Sequence, residues 1–228
     1  MPARPLECDT DPVVSFVVPA RNEAAYLRGT LSSLAALDTA YGYEAVVVDG
    51  NSTDATPEIA REYGARVVAG DGDGVASARN RGAERAAGEW LAFVDADTAV
   101  RANYLTAMLG FVEAEGMEAA SSYCRITGPR RGKLVEATIN HVFSRLRRPV
   151  LPGFNFFVRR GTFEAAGGFP DVPNEDTALS RELAREVPTG YCRRVLVESS
   201  GRRIAARGLT GTLWYYARLD RERIAADY

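Results

Sequence analysis

Two short acidic motifs carry most of the chemistry this sequence can do. Asp95-Ala96-Asp97 closes the apolar run Trp90 to Val94, and Glu175-Asp176 follows Asn174 in the second half of the chain. A carboxylate is a hard oxygen ligand of the kind that Mg²⁺ and Mn²⁺ take. An ionised carboxylate can also remove the proton of an attacking hydroxyl. If the backbone stays extended through Asp95 and Asp97, side chains two apart point the same way, and both acids face one site. Each motif also has a plainer reading. Asp95 and Asp97 can simply open a turn, and Glu175 and Asp176 can be the acids that a helix dipole favours at its N-terminus.

Composition narrows the chemistry further. His141 is the only histidine, so a histidine-based zinc site or a Ser-His-Asp triad has almost no material. Cys8, Cys124 and Cys192 form no CxxC pair, which argues against a disulfide framework or a thiolate metal site and fits a reducing compartment. Any metal must therefore be held by carboxylates. The formal net charge is −2, and no overall basic field draws the chain to nucleic acid. Lys133 is the one lysine among 28 basic residues. The first residues lack the basic and apolar regions of a secretory signal, and no apolar run approaches the ~20 residues of a bilayer span. The expectation is a cytoplasmic protein.

The elements that must position these acids alternate between strand and helix. Val13–Val18 reads as a first buried strand, followed by a helix over Glu23–Leu37 with Asn22 as its N-cap. Glu44–Val48 is a second strand, ending at Asp49. A helix opens near Pro57 and stops at Gly64. Arg66–Ala69 is a third strand, Gly70–Gly74 a flexible glycine loop, and Val75–Ala87 a helix carrying Arg79 and Asn80. The strand into Asp95 completes the series. This alternation predicts an α/β fold, with a mostly parallel central sheet flanked by helices on both faces. Right-handed crossovers then bring Asp49, the glycine loop and Asp95/Asp97 to one sheet edge, where ligands bind in such sheets.

The second half is less regular. Helices are expected over Asn103–Glu115, Leu134–Arg147, near Thr162, from Asn174–Thr177 to Glu186, and over Trp214–Leu219. Strands are expected over Met117–Ile126, Phe154–Val158 and Val195–Val197. Gly167-Gly168-Phe169-Pro170 reads as a turn. A single domain over 1–228 is the simplest organisation, with a nucleotide half at about 13–100 and an acceptor half at about 101–228. No glycine fingerprint follows the first strand, which excludes a dinucleotide-binding loop. Gly70, Gly72 and Gly74 are not followed by Lys-Ser or Lys-Thr, which excludes a Walker loop.

Five segments together carry a resemblance. Ser15-Phe-Val-Val-Pro-Ala-Arg-Asn-Glu23, Val46-Val-Val-Asp-Gly-Asn-Ser-Thr-Asp54, Ala78-Arg-Asn-Arg-Gly82, Asp95-Ala-Asp97 and Asn174-Glu-Asp176 resemble family 2 glycosyltransferases of the GT-A fold. The resemblance runs from about Val13 to about Leu183. It implies an inverting glycosyltransferase that moves a sugar from a nucleotide-sugar donor to an acceptor, with Mg²⁺ or Mn²⁺ on the donor diphosphate. It implies that Pro19, Arg21, Glu23, Asp49, Arg79, Asn80 and Asp95 line the nucleotide sugar. It places Asp97 at the metal, and Glu175 and Asp176 at the catalytic step, with Asp176 as base. Asp49 corresponds to the acid that contacts the nucleotide base; the family often has a second acid next, where this chain has Gly50. Gly153-Phe-Asn-Phe-Phe157 resembles the acceptor side. No Gln-x-x-Arg-Trp motif of processive synthases is present, which points to single addition. A sugar-phosphate nucleotidyltransferase and a catalytically inactive nucleotide-sugar-binding protein are the rival readings.

Two basic segments complete the inventory. Val135, Ile139, Val142, Phe143 and Leu146 fall on one helical face, flanked by Arg130, Arg131, Lys133, Arg145, Arg147 and Arg148. Such a helix either packs on the sheet or lies on an anionic membrane surface, where a polyprenyl-linked rather than a saccharide acceptor would arrive. Arg202 and Arg203 could reach a phosphate, although adjacent arginines usually form a solvated face, and His141 reads as a packing or surface residue.

Overall fold

The computed structural model describes Leu6, residues 11–128, Arg130 and residues 132–202. The expected Trp214–Leu219 helix, together with Cys8, Arg131 and Arg203, lies outside the described residues.

Strands β1 (Val14–Ala20), β2 (Tyr43–Asp49), β3 (Arg66–Ala69) and β4 (Trp90–Phe93) alternate with helices α1 (Ala24–Ala35), α2 (Thr56–Glu62) and α3 (Val75–Arg85). Then come β5 (Thr98–Val100), α4 (Tyr104–Glu115), β6 (Ala119–Thr127), α5 (Gly132–Ala137), β7 (Phe156–Arg159), α6 (Arg160–Ala165), α7 (Glu175–Glu186) and β8 (Thr189–Ser200). One eight-stranded sheet runs through both halves of the chain in the order β3-β2-β1-β4-β7-β6-β8-β5. β3, β2, β1 and β4 are parallel neighbours, and so are β6 and β8. β7 is antiparallel to β4 and β6, and β5 to β8.

The pleat sorts the core into two layers. Val14, Phe16 and Val18 join Leu27, Leu31 and Leu34 of α1 and Tyr104 of α4 on one face. Val17, Leu91 and Phe93 join Ala83 of α3, Phe163 of α6 and Leu179 of α7 on the other. Phe93 is the hub of this second layer, with ring centroids 4.9 Å from Phe169, 5.1 Å from Phe163 and 6.2 Å from Phe156. A Cβ on Gly82 would meet Val17 at 2.4 Å, so glycine is what lets α3 lie flat on β1.

Several expectations change. Asn22 does not cap α1, because it adopts φ 54° and its side chain accepts from Thr53 N instead. The first amides of the helix are met from the neighbouring loop, Glu23 N by Thr56 Oγ1 and Ala24 N by Asp54 Oδ2. β5 was not expected, being only three residues long. The last strand is twelve residues rather than three, since its charged outer positions mask the pattern. The expected 134–147 helix breaks after α5 into a π turn (Thr138–Val142) and a 3₁₀ turn (Phe143–Arg145).

Candidate active site at the carboxyl ends of the strands

From β1 the chain steps outward to β2 and β3, then returns to place β4 on β1's other side. The loops after β1 and β4 therefore diverge and open a crevice between them, as expected at a topological switch point. The acids singled out in the first half sit at the ends of strands or on the loops beyond them at this edge.

The loops after β1 and β2 are laced together. Asn22 N donates to Ser52 Oγ, and Thr53 N to Asn22 Oδ1. Asp49 ends β2 and accepts from Ser52 N. A Cβ at position 50 would lie 3.3 Å from Arg21 Cβ, so the absent second acid coincides with close packing of the exposed Arg21. Gly70 N donates to Asp49 O at 2.8 Å, and a Cβ on Gly70 would meet that oxygen at 2.9 Å. The start of the glycine loop is therefore held rather than flexible. Pro19 pairs with Val48 at the end of β1, one turn of chain before Arg21 and Glu23.

The acid-x-acid motif is not extended. Thr98 N donates to Asp95 O, closing a tight turn between β4 and β5. Thr30 Oγ1 donates to Ala96 O at 2.8 Å and Ser200 N to Asp97 O, fixing the turn from α1 and from β8. The expectation that both carboxylates face one site fails for this reason: the turn sends them to different guanidinium groups.

Asp95 goes to Arg79. The Arg79 side chain is 4% exposed and donates to Asp95 Oδ1 at 2.9 Å and to Glu175 Oε1 at 2.5 Å. Gly153 lies directly over it: a Cβ there would come within 2.5 Å of the guanidinium. Gly153 N in turn donates to Asp176 Oδ2 at 2.8 Å, and Thr177 N to Asp176 Oδ1. Burial pulls the Arg79 pKa down, but the neighbouring carboxylates of Asp95, Glu175 and Asp176 outweigh it and hold the group charged. Burial raises the Glu175 carboxyl, Arg79 opposes that, and Asp176 adds to it, for a net upward shift. Arg79 is thus a buried post joining α3, β4 and α7 rather than a side chain open to a ligand.

Asp97 goes to Arg202. Arg202 Nε donates to Asp97 Oδ2 at 2.8 Å, its two terminal nitrogens grip both oxygens of Glu23, and its guanidinium stacks 4.4 Å from the Tyr26 ring centroid. The Arg202 side chain is 29% exposed and that of Asp97 7%. Its hydrogen bond to Glu23 and the charge of Asp97 raise the Arg202 pKa. The solvated-face reading of Arg202 is therefore overturned. Sequence gave no signal for this pairing, because Glu23 and Asp97 are both remote from Arg202 in the chain.

Asn80 does not join the acids. Its amide donates to Phe169 O and accepts from Phe169 N, both at 2.8 Å, strapping the Gly167-Gly168-Phe169 turn to α3. His141 is exposed and packs edge-on to Tyr123. Burial pushes the Cys124 thiol up to about 12, which removes it as a nucleophile.

The residues present fit a divalent cation of the Mg²⁺ type. Among the described residues no group of three or more His, Cys, Asp or Glu is arranged to cage a metal. Mg²⁺ instead commonly binds through one or two carboxylates plus substrate phosphates. Asp97, a nearly buried carboxylate already holding a cationic group at the rim of the crevice, meets that requirement.

Comparison with known proteins places this geometry. The model of "Glycosyl transferase family 2" matches residues 15–185. "Glycosyltransferase AglE" of Haloferax volcanii is 28% identical over 174 residues, covering 71% of this chain and 57% of AglE. The structure of the mannosyltransferase PcManGT of Pyrobaculum calidifontis, in complex with GDP-Man and Mn²⁺, superposes with a TM-score of 0.74 at 23% identity, over 96% of this chain and 65% of that one. S. aureus TarS in complex with UDP-GlcNAc gives 0.69 at 20% identity, over 82% and 58%. The chain thus spans little more than half the length of AglE and of that TarS chain. With the family model matching most of its length, and a GT-A fold beneath the five motifs, the chain belongs to glycosyl transferase family 2.

Proposed function

We propose that this chain transfers a sugar from a nucleotide-sugar donor to an acceptor, with inversion and with the help of Mg²⁺ or Mn²⁺. The observation that carries the proposal is the gathering of Asp49, Asp95, Asp97, Glu175 and Asp176 around one crevice by elements far apart in sequence. Pro19, Arg21, Glu23 and Asp49 line its donor side, with Asp49 towards the nucleotide base and Asp95 towards the ribose. Asp97 holds the cation, which when bound offsets the charge growing on the departing diphosphate. Asp176, aimed by Gly153 N, accepts the proton of the attacking hydroxyl. Arg79 acts at one remove, holding Asp95 and Glu175 in place. Asn80 acts on the turn that leads towards α7.

The acceptor side includes an exposed patch. Ile139 is buried and Val135 and Phe143 pack against the core, so the core reading holds for part of the 134–147 segment. Leu134, Val142 and Leu146 are exposed beside exposed Lys133, Arg145, Arg147 and Arg148. Exposed apolar groups interspersed with cations along one segment suit an anionic bilayer surface. This patch supports a peripheral enzyme that meets a polyprenyl-linked acceptor at the cytoplasmic face; no helix among the described residues is long and apolar enough to cross a membrane.

The test is release of nucleoside diphosphate from a panel of nucleotide sugars, with Mg²⁺, Mn²⁺ or chelator. Metal-dependent release of UDP or GDP supports a transferase, and NMR of the product anomer decides inversion. Pyrophosphate exchange with a nucleoside triphosphate would favour the nucleotidyltransferase instead. Thermal stabilisation by a nucleotide sugar without turnover, with acceptor supplied, would favour the inactive binding protein. Flotation with anionic liposomes tests the membrane contact. Binding should weaken with salt and with R145Q/R147Q/R148Q, and a protein that never floats at low salt rules it out.

A further inference from the structure

Arg202 touches the carboxylate to which the metal role is given. Its Nε donates to Asp97 Oδ2 at 2.8 Å while its terminal nitrogens grip both oxygens of Glu23. Tyr26, one turn into α1, supports the plane of the guanidinium from one side. Arg202 follows β8 by two residues, and Ser200 N donates to Asp97 O, so the end of β8 is pinned beside the acid it supplies with a cation.

We propose that Arg202 is a built-in exchangeable cation for Asp97, an inference that rests on the metal role given to that residue above. A guanidinium and a divalent cation cannot both take the same carboxylate oxygen at close range, and two cations side by side repel. Without a donor diphosphate, Arg202 neutralises the nearly buried charge of Asp97. When a diphosphate brings its metal, Arg202 gives up Asp97 Oδ2 and stays on Glu23 and Tyr26. The two halves of its contact set make this possible. The bidentate grip on Glu23 and the stack on Tyr26 are independent of the single Nε contact to Asp97. Two consequences follow: the chain without nucleotide resists metal, and metal and nucleoside diphosphate bind with positive coupling.

Free Mn²⁺ is measured by electron paramagnetic resonance in titrations of the wild-type chain, R202Q and D97N. Each titration is run alone and with UDP or GDP. R202Q should bind Mn²⁺ about tenfold more tightly than wild type without nucleotide, a change of ~1.4 kcal/mol. The coupling between Mn²⁺ and nucleotide should shrink to match. D97N should bind Mn²⁺ least under both conditions. R202Q binding Mn²⁺ equally to or more weakly than wild type, while D97N binds worse, overturns the exchange and leaves the metal role of Asp97 intact. D97N binding as well as wild type overturns the metal role itself, and with it this inference. Thermal melts of the three proteins establish that each is folded, and R202K supplies a second variant that retains the charge but loses the planar grip.

Discussion

Arg79 and Arg202 each bridge one acid of Asp95-Ala96-Asp97 to an acid from elsewhere, yet their surroundings differ. Arg79 reaches Asp95 and Glu175 from inside the protein, under the backbone of Gly153, at 4% side-chain exposure. Arg202 reaches Asp97 and Glu23 from the rim, at 29% exposure. The first cluster encloses its guanidinium and joins three elements, so Arg79 is scaffold. The second leaves its guanidinium partly open to water. A three-residue motif therefore gives one acid to a buried guanidinium and one to a more exposed guanidinium, and the tight turn at Ala96 is what separates them.

The sharpest way to break this comparison is to remove each guanidinium in turn. Arg79→Met leaves two poorly exposed carboxylates without their cation and should cost about 3–5 kcal/mol of unfolding free energy. Arg202→Met also takes the cation from two poorly exposed carboxylates, Glu23 and Asp97, but the more open guanidinium position admits water, and the loss should be smaller, about 1–3 kcal/mol. Urea denaturation measures both, and equal losses would erase the distinction. Asp176→Asn tests what the Arg79 cluster is built to hold. Transfer at saturating donor should fall by roughly 10²-fold while donor affinity survives. Lost affinity with unchanged transfer would move Asp176 to the donor side; an already ionised acceptor would need no base, and the loss would be smaller.

Gly153→Ala probes the same cluster from above. The new methyl would intrude on the Arg79 guanidinium, and overpacking of this kind costs about 1–3 kcal/mol. Gly161→Ala, in α6 with nothing within 4 Å of the added Cβ, should instead stabilise by roughly 0.5–1 kcal/mol. Denaturation midpoints of the two variants should move in opposite directions.

The smallest effect is one of pH. Burial raises the Glu175 carboxyl, so the folded chain binds that proton more tightly than the unfolded chain. The stability Glu175 contributes is full at low pH and is lost as pH rises from the ordinary carboxylate range through its raised value. Relative to Glu175→Gln, wild type should lose stability over that window. A parallel pair of stability–pH curves would show the carboxyl unshifted.

Local pattern made the first half of the fold legible. Val14–Val18 and Val46–Val48 are largely apolar runs bounded by turns and carry their strand identity in five and three residues. The acids at their ends were readable because strand ends in an alternating series fall on one edge. β8 was not readable beyond Val195–Val197, because its exposed positions carry Arg193 and Arg194 and its pairing with β6 slips between Ser122 and Cys124. The 134–147 segment kept its helical spacing in sequence but not its helical geometry. Asn140 binds Cys124 through both its amide atoms, and the helix widens to a π turn around it.

By itself the sequence determined which chemistry was available: carboxylates and guanidinium groups, with almost no histidine and no paired cysteines. It also determined that the first four strands deliver those carboxylates to one edge, because alternation and right-handed crossovers leave little choice. The tertiary structure alone decided which charge meets which. Arg79 and Glu175 are far apart in the chain, as are Arg202 and Glu23, and no local pattern encodes such a pair. Their meeting depends on how α7 and β8 close over the crevice, and on glycines at 153 and 82 that admit the close approach. The strength of each pair depends on its exposure, which only the packed molecule sets.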